Sequence, residues 1–160
     1  MKASECNNDT IRALERASIR SFMERNRKYL TGRVLDFGSG TQPYRDLVNG
    51  TYVPFEIEDQ WPTGEFDAIM SNQVTQYLCD PPETFSALME RLKPRGHFVI
   101  TGPTNWAEVE PTDLFRFTRA GIRHLLQAAG FEVLVCESRA EIDINGFMLS
   151  LGWGAVGRKP

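Results

Sequence analysis

Apolar positions along the chain follow two rhythms, one of period near 3.6 and one of short apolar runs, and they alternate from one end to the other. Ile19, Phe22, Met23, Asn26 and Leu30 recur at helical spacing behind the capping residues Asn8-Asp9-Thr10, which predicts an N-terminal helix over about 10–30, ending near Thr31-Gly32. Val34-Leu35 opens a first strand. Pro43 then suits a helix start before Tyr44, Leu47 and Val48, with Asn49-Gly50 as its end. Thr51 to Ile57 reads as a second strand, and only Gln60 to Glu65 separates it from the next strand, Phe66 to Ser71, so no helix fits between them. Asp80-Pro81-Pro82-Glu83 is a capped helix start, followed by Phe85, Leu88, Met89 and Leu92 on one face. His97 to Thr101 reads as a buried strand. Thr118 caps a further helix whose stripe is Ile122, Leu125, Leu126 and Ala129, closing at Gly130. Phe131 to Cys136 is a strand, and Gly146 to Val156, with its interspersed glycines, is a last one reached through a turn around Asp143-Ile144-Asn145.

Strands alternating with helices predict an α/β fold whose sheet is parallel at least in its first part. The chain has 160 residues, 41% of them hydrophobic, which suits a single domain over 1–160 with a core over about 31–136 and a C-terminal strand region over about 146–157. Net charge is −3 and the basic residues are scattered, which argues against a large nucleic-acid-binding face. Cys6, Cys79 and Cys136 are widely spaced and form no Cys-x-x-Cys pair, so neither a disulfide framework nor a metal site is expected. No apolar run approaches the roughly 20 residues that span a bilayer, and the polar start Met1-Lys2-Ala3-Ser4-Glu5 lacks a signal-peptide core. A soluble cytoplasmic protein is the expectation.

The candidate chemistry begins where the first strand runs through Asp36 into Phe37-Gly38-Ser39-Gly40. Glycines in such a turn let a ligand approach the backbone. A dinucleotide site prefers a third glycine where this chain has Pro43, and Asp36 would repel a pyrophosphate. A carboxylate at that point favours a cation, and a ligand carrying an ammonium and a sulfonium, S-adenosylmethionine, fits. The second strand ends in the acids Glu56, Glu58 and Asp59, where a ribose could be held.

Five segments in order, Val34 to Gly40, Tyr52 to Glu56, Phe66 to Ile69 leading to Gln73-Val74, Leu92 to Gly96, and Asp113 to Thr118, resemble class I S-adenosylmethionine-dependent methyltransferases, especially the small-molecule group called type 11. The resemblance covers roughly 15–136. It implies a Rossmann-like sheet with helices on both faces, S-adenosylmethionine as cofactor, and a small-molecule methyl acceptor. Carried over residue by residue, it implies that Asp36, Gly38, Ser39 and Gly40 line the methionine part of the cofactor, that Glu56 accepts from the ribose hydroxyls, and that Ser71, Asn72, Gln73 and Val74 lie beside the methyl group. Tyr77, Asn105 and Trp106 are the candidate substrate contacts. No general base stands out: Gln76 and Tyr77 occupy the places where many relatives have glutamate and histidine.

The chain departs from the family in lacking the usual third strand, its preceding helix, and the acid that contacts the adenine amino group. The adenine pocket is then open, built differently or completed by another chain, with Trp61 as a candidate stacking face. A sheet edge left free this way is a pairing surface for a homodimer. The same gap keeps a second reading open, a methyltransferase-like fold that binds the cofactor weakly or not at all and serves as an interaction module. Asp80-Pro81-Pro82 reads as a helix cap rather than an amino-methylating signature, His97 as structural, His124 as a surface residue, and Arg116 as a tie for its loop.

Overall fold

A computed structural model describes residues 8–160. Its centre is a six-stranded sheet in the order β2-β1-β3-β4-β6-β5. The strands are β1 (Thr31–Phe37), β2 (Asn49–Phe55), β3 (Phe66–Asn72), β4 (Leu92–Pro103), β5 (Glu132–Ile144) and β6 (Phe147–Arg158). The first four run parallel, and β6 is antiparallel to both β4 and β5. Three helices cover the sheet, α1 (Asn8–Asn26), α2 (Pro81–Arg91) and α3 (Arg119–Ala128).

Strand residues point alternately to the two faces, and here both faces are buried. Leu35, Ile69, Phe98, Ile100 and Ala155 pack with Phe85 and Leu88 of α2 and Ile122 and Leu126 of α3. Their chain neighbours Val34, Ala68, Met70, Val99 and Val156 pack with Ile19, Phe22 and Met23 of α1 on the other face. This is the α/β sheet with helices on both faces that the sequence predicts, and the stretch between β2 and β3 holds neither strand nor helix. The Asp80 and Thr118 caps are in place: their side chains accept from the backbone N–H of Glu83 and Gly121 at 2.9 and 3.0 Å.

Two predicted elements need correction. The helix expected from Pro43 is only a 3-10 turn, Arg45–Leu47. A parallel crossover must travel back along a seven-residue strand, about 23 Å at about 3.3 Å per residue. Residues 38–48, part of them spent on the glycine turn, would cover only about 16 Å as a helix at 1.5 Å per residue, and the chain instead runs back in successive turns and one 3-10 helix. The strand predicted to end at Cys136 is longer, because β5 continues to Ile144 and pairs with β6 to the tip. The turn is Asn145-Gly146, both in the left-handed region at φ 54° and 86°, the conformation that favours this dipeptide in a two-residue hairpin.

The glycines of β6 answer to their neighbours. A Cβ on Gly154 would lie 2.6 Å from ring carbons of Phe22, and one on Gly152 would lie 2.4 Å from Nη2 of Arg139. Their absence lets α1 and the Arg139 side chain sit down on the sheet. At the opposite edge, the Phe55 carbonyl accepts from Gly38 N–H and so faces β1, which turns Pro54 toward the free side of β2, where it has no N–H to donate.

Gly154→Ala should therefore cost about 1 to 3 kcal/mol, the scale of an overpacked core, read as a lower urea midpoint with an unchanged slope. An unchanged midpoint would mean that Phe22 has room to move aside.

Candidate functional site

The carboxyl ends of β1, β3 and β4 meet at one edge, where open α/β sheets bind ligands. Three clefts radiate from it. The first, about 210 Å³, is lined by Asp36, Gly38, Ser39, Gly40, Tyr44 and Asn72, among others. The second, about 370 Å³, lies between Phe37, Ile57 and Trp61 on one side and Tyr77 to Asp80 with the start of α2 on the other. The third, about 450 Å³, runs from Gln73, Gln76 and Tyr77 to α1 and to the loop after β4.

Asp36 is 3% exposed and takes a 2.6 Å hydrogen bond from the Tyr52 hydroxyl. Burial pushes its carboxyl up to about 6, the Tyr52 hydrogen bond opposes that rise, and the charge of Glu56 adds to it. Burial and the same Asp36 carboxylate raise the Tyr52 hydroxyl above the usual tyrosine range. The two glycines do different work. Gly38, at φ 74°, has no room for a Cβ, which would lie 2.4 Å from Val74, whereas a Cβ on Gly40, at φ 47°, would meet nothing within 4 Å and would point into open space beside the first cleft.

Among the three acids after β2, Glu56 is the one turned into this site: its Oε1 accepts from Ser39 Oγ and from Gly40 N–H, each at 2.7 Å. Asp59 instead accepts from the Glu56 N–H at 3.0 Å, and Glu58 is exposed. Asn72 lines the first cleft. Its Oδ1 accepts from Thr101 Oγ1 at 3.0 Å, while its buried Nδ2 has no partner. Ser71 is buried within β3 and lines none of the three clefts, and Val74 packs beneath Gly38. Gln73, in the left-handed region at φ 60°, lines the third cleft, a strained conformation of the kind that concentrates at functional sites.

Tyr77 borders both the second and third clefts, and Trp106 borders the third. Asn105 stands apart from both, its Nδ2 donating to the Ser150 carbonyl at 2.7 Å and tying the loop to β6. Arg116 likewise ties its loop, bonded to Asp113 and to the Trp106 and Ala107 carbonyls. Trp61 is not a free stacking face. Its ring lies 4.5 Å from Phe55 and 5.7 Å from Phe37, and the Arg91 guanidinium sits over it at 4.6 Å, so it plugs the edge that the missing module leaves open. His97 stacks on Tyr29 at the far end of β4, and His124 is exposed on α3.

Tyr52 and Tyr44 also belong to this site and were not singled out as site residues by the sequence. Strand alternation places Tyr52 two residues from Pro54, the partner of Asp36 across β1 and β2, which is the one clue that could have found it.

A family model described as a methyltransferase domain matches residues 10–135. No curated protein matches the sequence significantly. Among solved structures, the fold is similar to that of a protein assigned as a methyltransferase in its complex with the Haloferax volcanii Trm112 methyltransferase activator, at 16% identity over 96% of this chain and 95% of that chain, TM-score 0.64. It is similar to an Archaeoglobus fulgidus SAM-dependent methyltransferase at 16% identity, covering 88% and 93%, TM-score 0.63. A Mesorhizobium loti S-adenosylmethionine-dependent methyltransferase follows at 14% identity, covering 82% and 93%, TM-score 0.58.

The raised Asp36 carboxyl makes the ligand-free fold hold more protons than the unfolded chain between about pH 4 and 6. Stability should then fall as pH rises through that window, by up to about 3 kcal/mol for a shift of about two units. Asp36→Asn should flatten the fall in urea denaturation at pH 4, 5, 6 and 7; an identical slope in the variant would mean that Asp36 is ionised throughout.

Proposed function

The chain belongs to the methyltransferase domain family, and from that premise we propose that it transfers a methyl group from S-adenosylmethionine to a small-molecule acceptor. The observation that carries the cofactor assignment is the buried Asp36 carboxylate facing a glycine cradle, with room beside Gly40 for a ligand and an unpartnered amide at Asn72. A buried carboxylate without a cation is costly, and a cationic ligand offsets that cost.

When bound, the cofactor supplies a methyl group on a positively charged sulfur. On this reading Asp36 favours the ammonium end, and Ser39 and Gly40 line its seat. Glu56 exchanges its present bonds to Ser39 and Gly40 for ribose hydroxyls, a task for which a carboxylate has two oxygens. Phe37, Ile57 and Leu78 offer apolar walls for an adenine ring in the second cleft, so the adenine seat is built from what remains rather than from a third-strand module. Gln73 and Tyr77 border the space next to the methyl group. Among the described residues, no histidine, cysteine or free carboxylate lines the third cleft, which fits a transfer that draws on positioning of the two reacting atoms. Pairing with a second copy along β2 has to do without a donor at Pro54.

The absent module also supports the second reading, an interaction module with weak or no cofactor binding. Calorimetric titration separates them. S-adenosylmethionine and its demethylated product should bind, and Asp36→Asn and Glu56→Gln should each weaken binding by about 1 to 3 kcal/mol with the fold retained. Affinity should rise with pH through about 6 as Asp36 ionises. Gly40→Val should abolish binding and, because a β-branched residue is strained at φ 47°, also lower the urea midpoint without unfolding the chain in buffer. No binding at millimolar ligand would sink the enzyme reading in favour of the module, and wild-type affinity in all three variants would move the site elsewhere.

A further inference from the structure

The third cleft has a chemistry opposite to the first. Arg12 and Arg16 stand one turn apart on α1 and line it together with Glu15 and Ile19, and neither arginine has an acidic partner among the described residues. The two acids in its wall are already engaged, Glu15 with Arg139 at 3.0 Å and Asp113 with Arg116. The wall is therefore net positive in a protein of net charge −3. Guanidinium groups present forked donors that match carboxylate or phosphate oxygens.

A second observation is independent of the charges. Gln76 is 6% exposed; its Nε2 donates to the Gln73 carbonyl at 2.8 Å, and its Oε1 has no partner. Gln73 Nε2 and Glu15 Oε2 are also buried without partners. Of these atoms Gln73 Nε2 is a donor that an anion's oxygen would satisfy, and Gln76 Oε1 is an acceptor for a hydroxyl or amine elsewhere on a ligand, so the wall marks a place where a polar ligand completes the bonding. The remaining wall is apolar, with Ile19, Pro103, Trp106 and Val109.

We propose that the third cleft binds an amphipathic anion, a small molecule with an apolar or aromatic body and a carboxylate or phosphate group held by Arg12 and Arg16, with Gln73 Nε2 as a further donor. That this anion is the methyl acceptor rests on the methyl-transfer reading above; the anion site stands on its own geometry. The cleft begins at Gln73, next in the chain to Asn72 of the first cleft, so a molecule bound there adjoins the cofactor seat. Where an oxygen of that anion is the atom methylated, it carries no proton to remove, and among the described residues this cleft holds no free base.

The test titrates the whole chain by calorimetry with three probes of one shape, phenylpropanoate, phenylpropanol and phenylpropylamine, each with and without S-adenosylhomocysteine. Phenylpropanoate should bind at least about tenfold more tightly than the alcohol or the amine and weaken with added salt. Phenyl phosphate in its place tells which anion the fork prefers. The double variant Arg12→Gln/Arg16→Gln should lose about tenfold or more in phenylpropanoate affinity while keeping its melting temperature and its affinity for S-adenosylhomocysteine. Equal binding of the three probes, no binding of either anion at millimolar concentration, or unchanged affinity in the double variant would overturn the proposal. Anion binding without any S-adenosylhomocysteine binding would count against the cofactor reading and leave the anion site standing.

Discussion

The buried ion pair between Glu15 and Arg139 holds α1 in place, and the geometry of the site follows from it. Arg139 is 3% exposed, and its guanidinium donates to the Trp153 carbonyl, Ser18 Oγ, Glu15 Oε1 and the Gly102 carbonyl. One side chain from β5 thus ties together α1, β4 and β6. Burying two charges costs several kcal/mol each, and attraction offsets that only when the remaining donors are satisfied, as they are here on the arginine side. Removing either partner leaves an uncompensated charge, a loss on the scale of about 3 to 5 kcal/mol. Gly152 is part of the same device, since any side chain there would occupy the volume of the guanidinium.

With α1 fixed across the carboxyl edge of the sheet, the shortened fold still encloses a site. The stretch 56–65 has no room for a strand or helix, and the exposed end of β2 is closed by an aromatic plug of Phe37, Phe55 and Trp61, capped by Arg91. Aromatic stacking and a cation over the ring hold this plug without backbone pairing. The plug fixes Trp61, which shares the apolar wall of the second cleft with Phe37 and Ile57.

How much of this was legible in the sequence depends on the range of the interaction. The apolar runs Val34-Leu35 and Phe98-Val99-Ile100 are local, and they correctly gave strands. The Asp80 and Thr118 caps are local too, and so is the glycine turn, whose two glycines the structure separates into one required by Val74 and one left open. The helix after Pro43 failed because a local apolar pattern says nothing of the distance a parallel crossover must cover. The length of β5 failed because its second half is stabilised by pairing with β6 and not by its own composition. Arg139 and Glu15 lie 124 positions apart, and Tyr52 meets Asp36 only through strand register. No single-sequence pattern announces either contact.

The charges around the carboxyl edge divide the site in two. Asp36 and Glu56 make the β1–β2 side acidic, and Arg12 and Arg16 make the α1 side basic, with Asn72 and Gln73 at the boundary. A cationic methyl donor and an anionic acceptor would each be drawn to its own side, and their charges would attract across the boundary where transfer takes place. If a carboxylate oxygen of the acceptor is itself the atom methylated, the S–CH3 bond breaks as the O–CH3 bond forms and both charges cancel, so a site of low polarity would disfavour the products less than the reactants. For such an acceptor the work of ionisation would be done before binding, and a cleft whose described lining holds no free base would need only to hold two opposite charges in the order that lets them cancel.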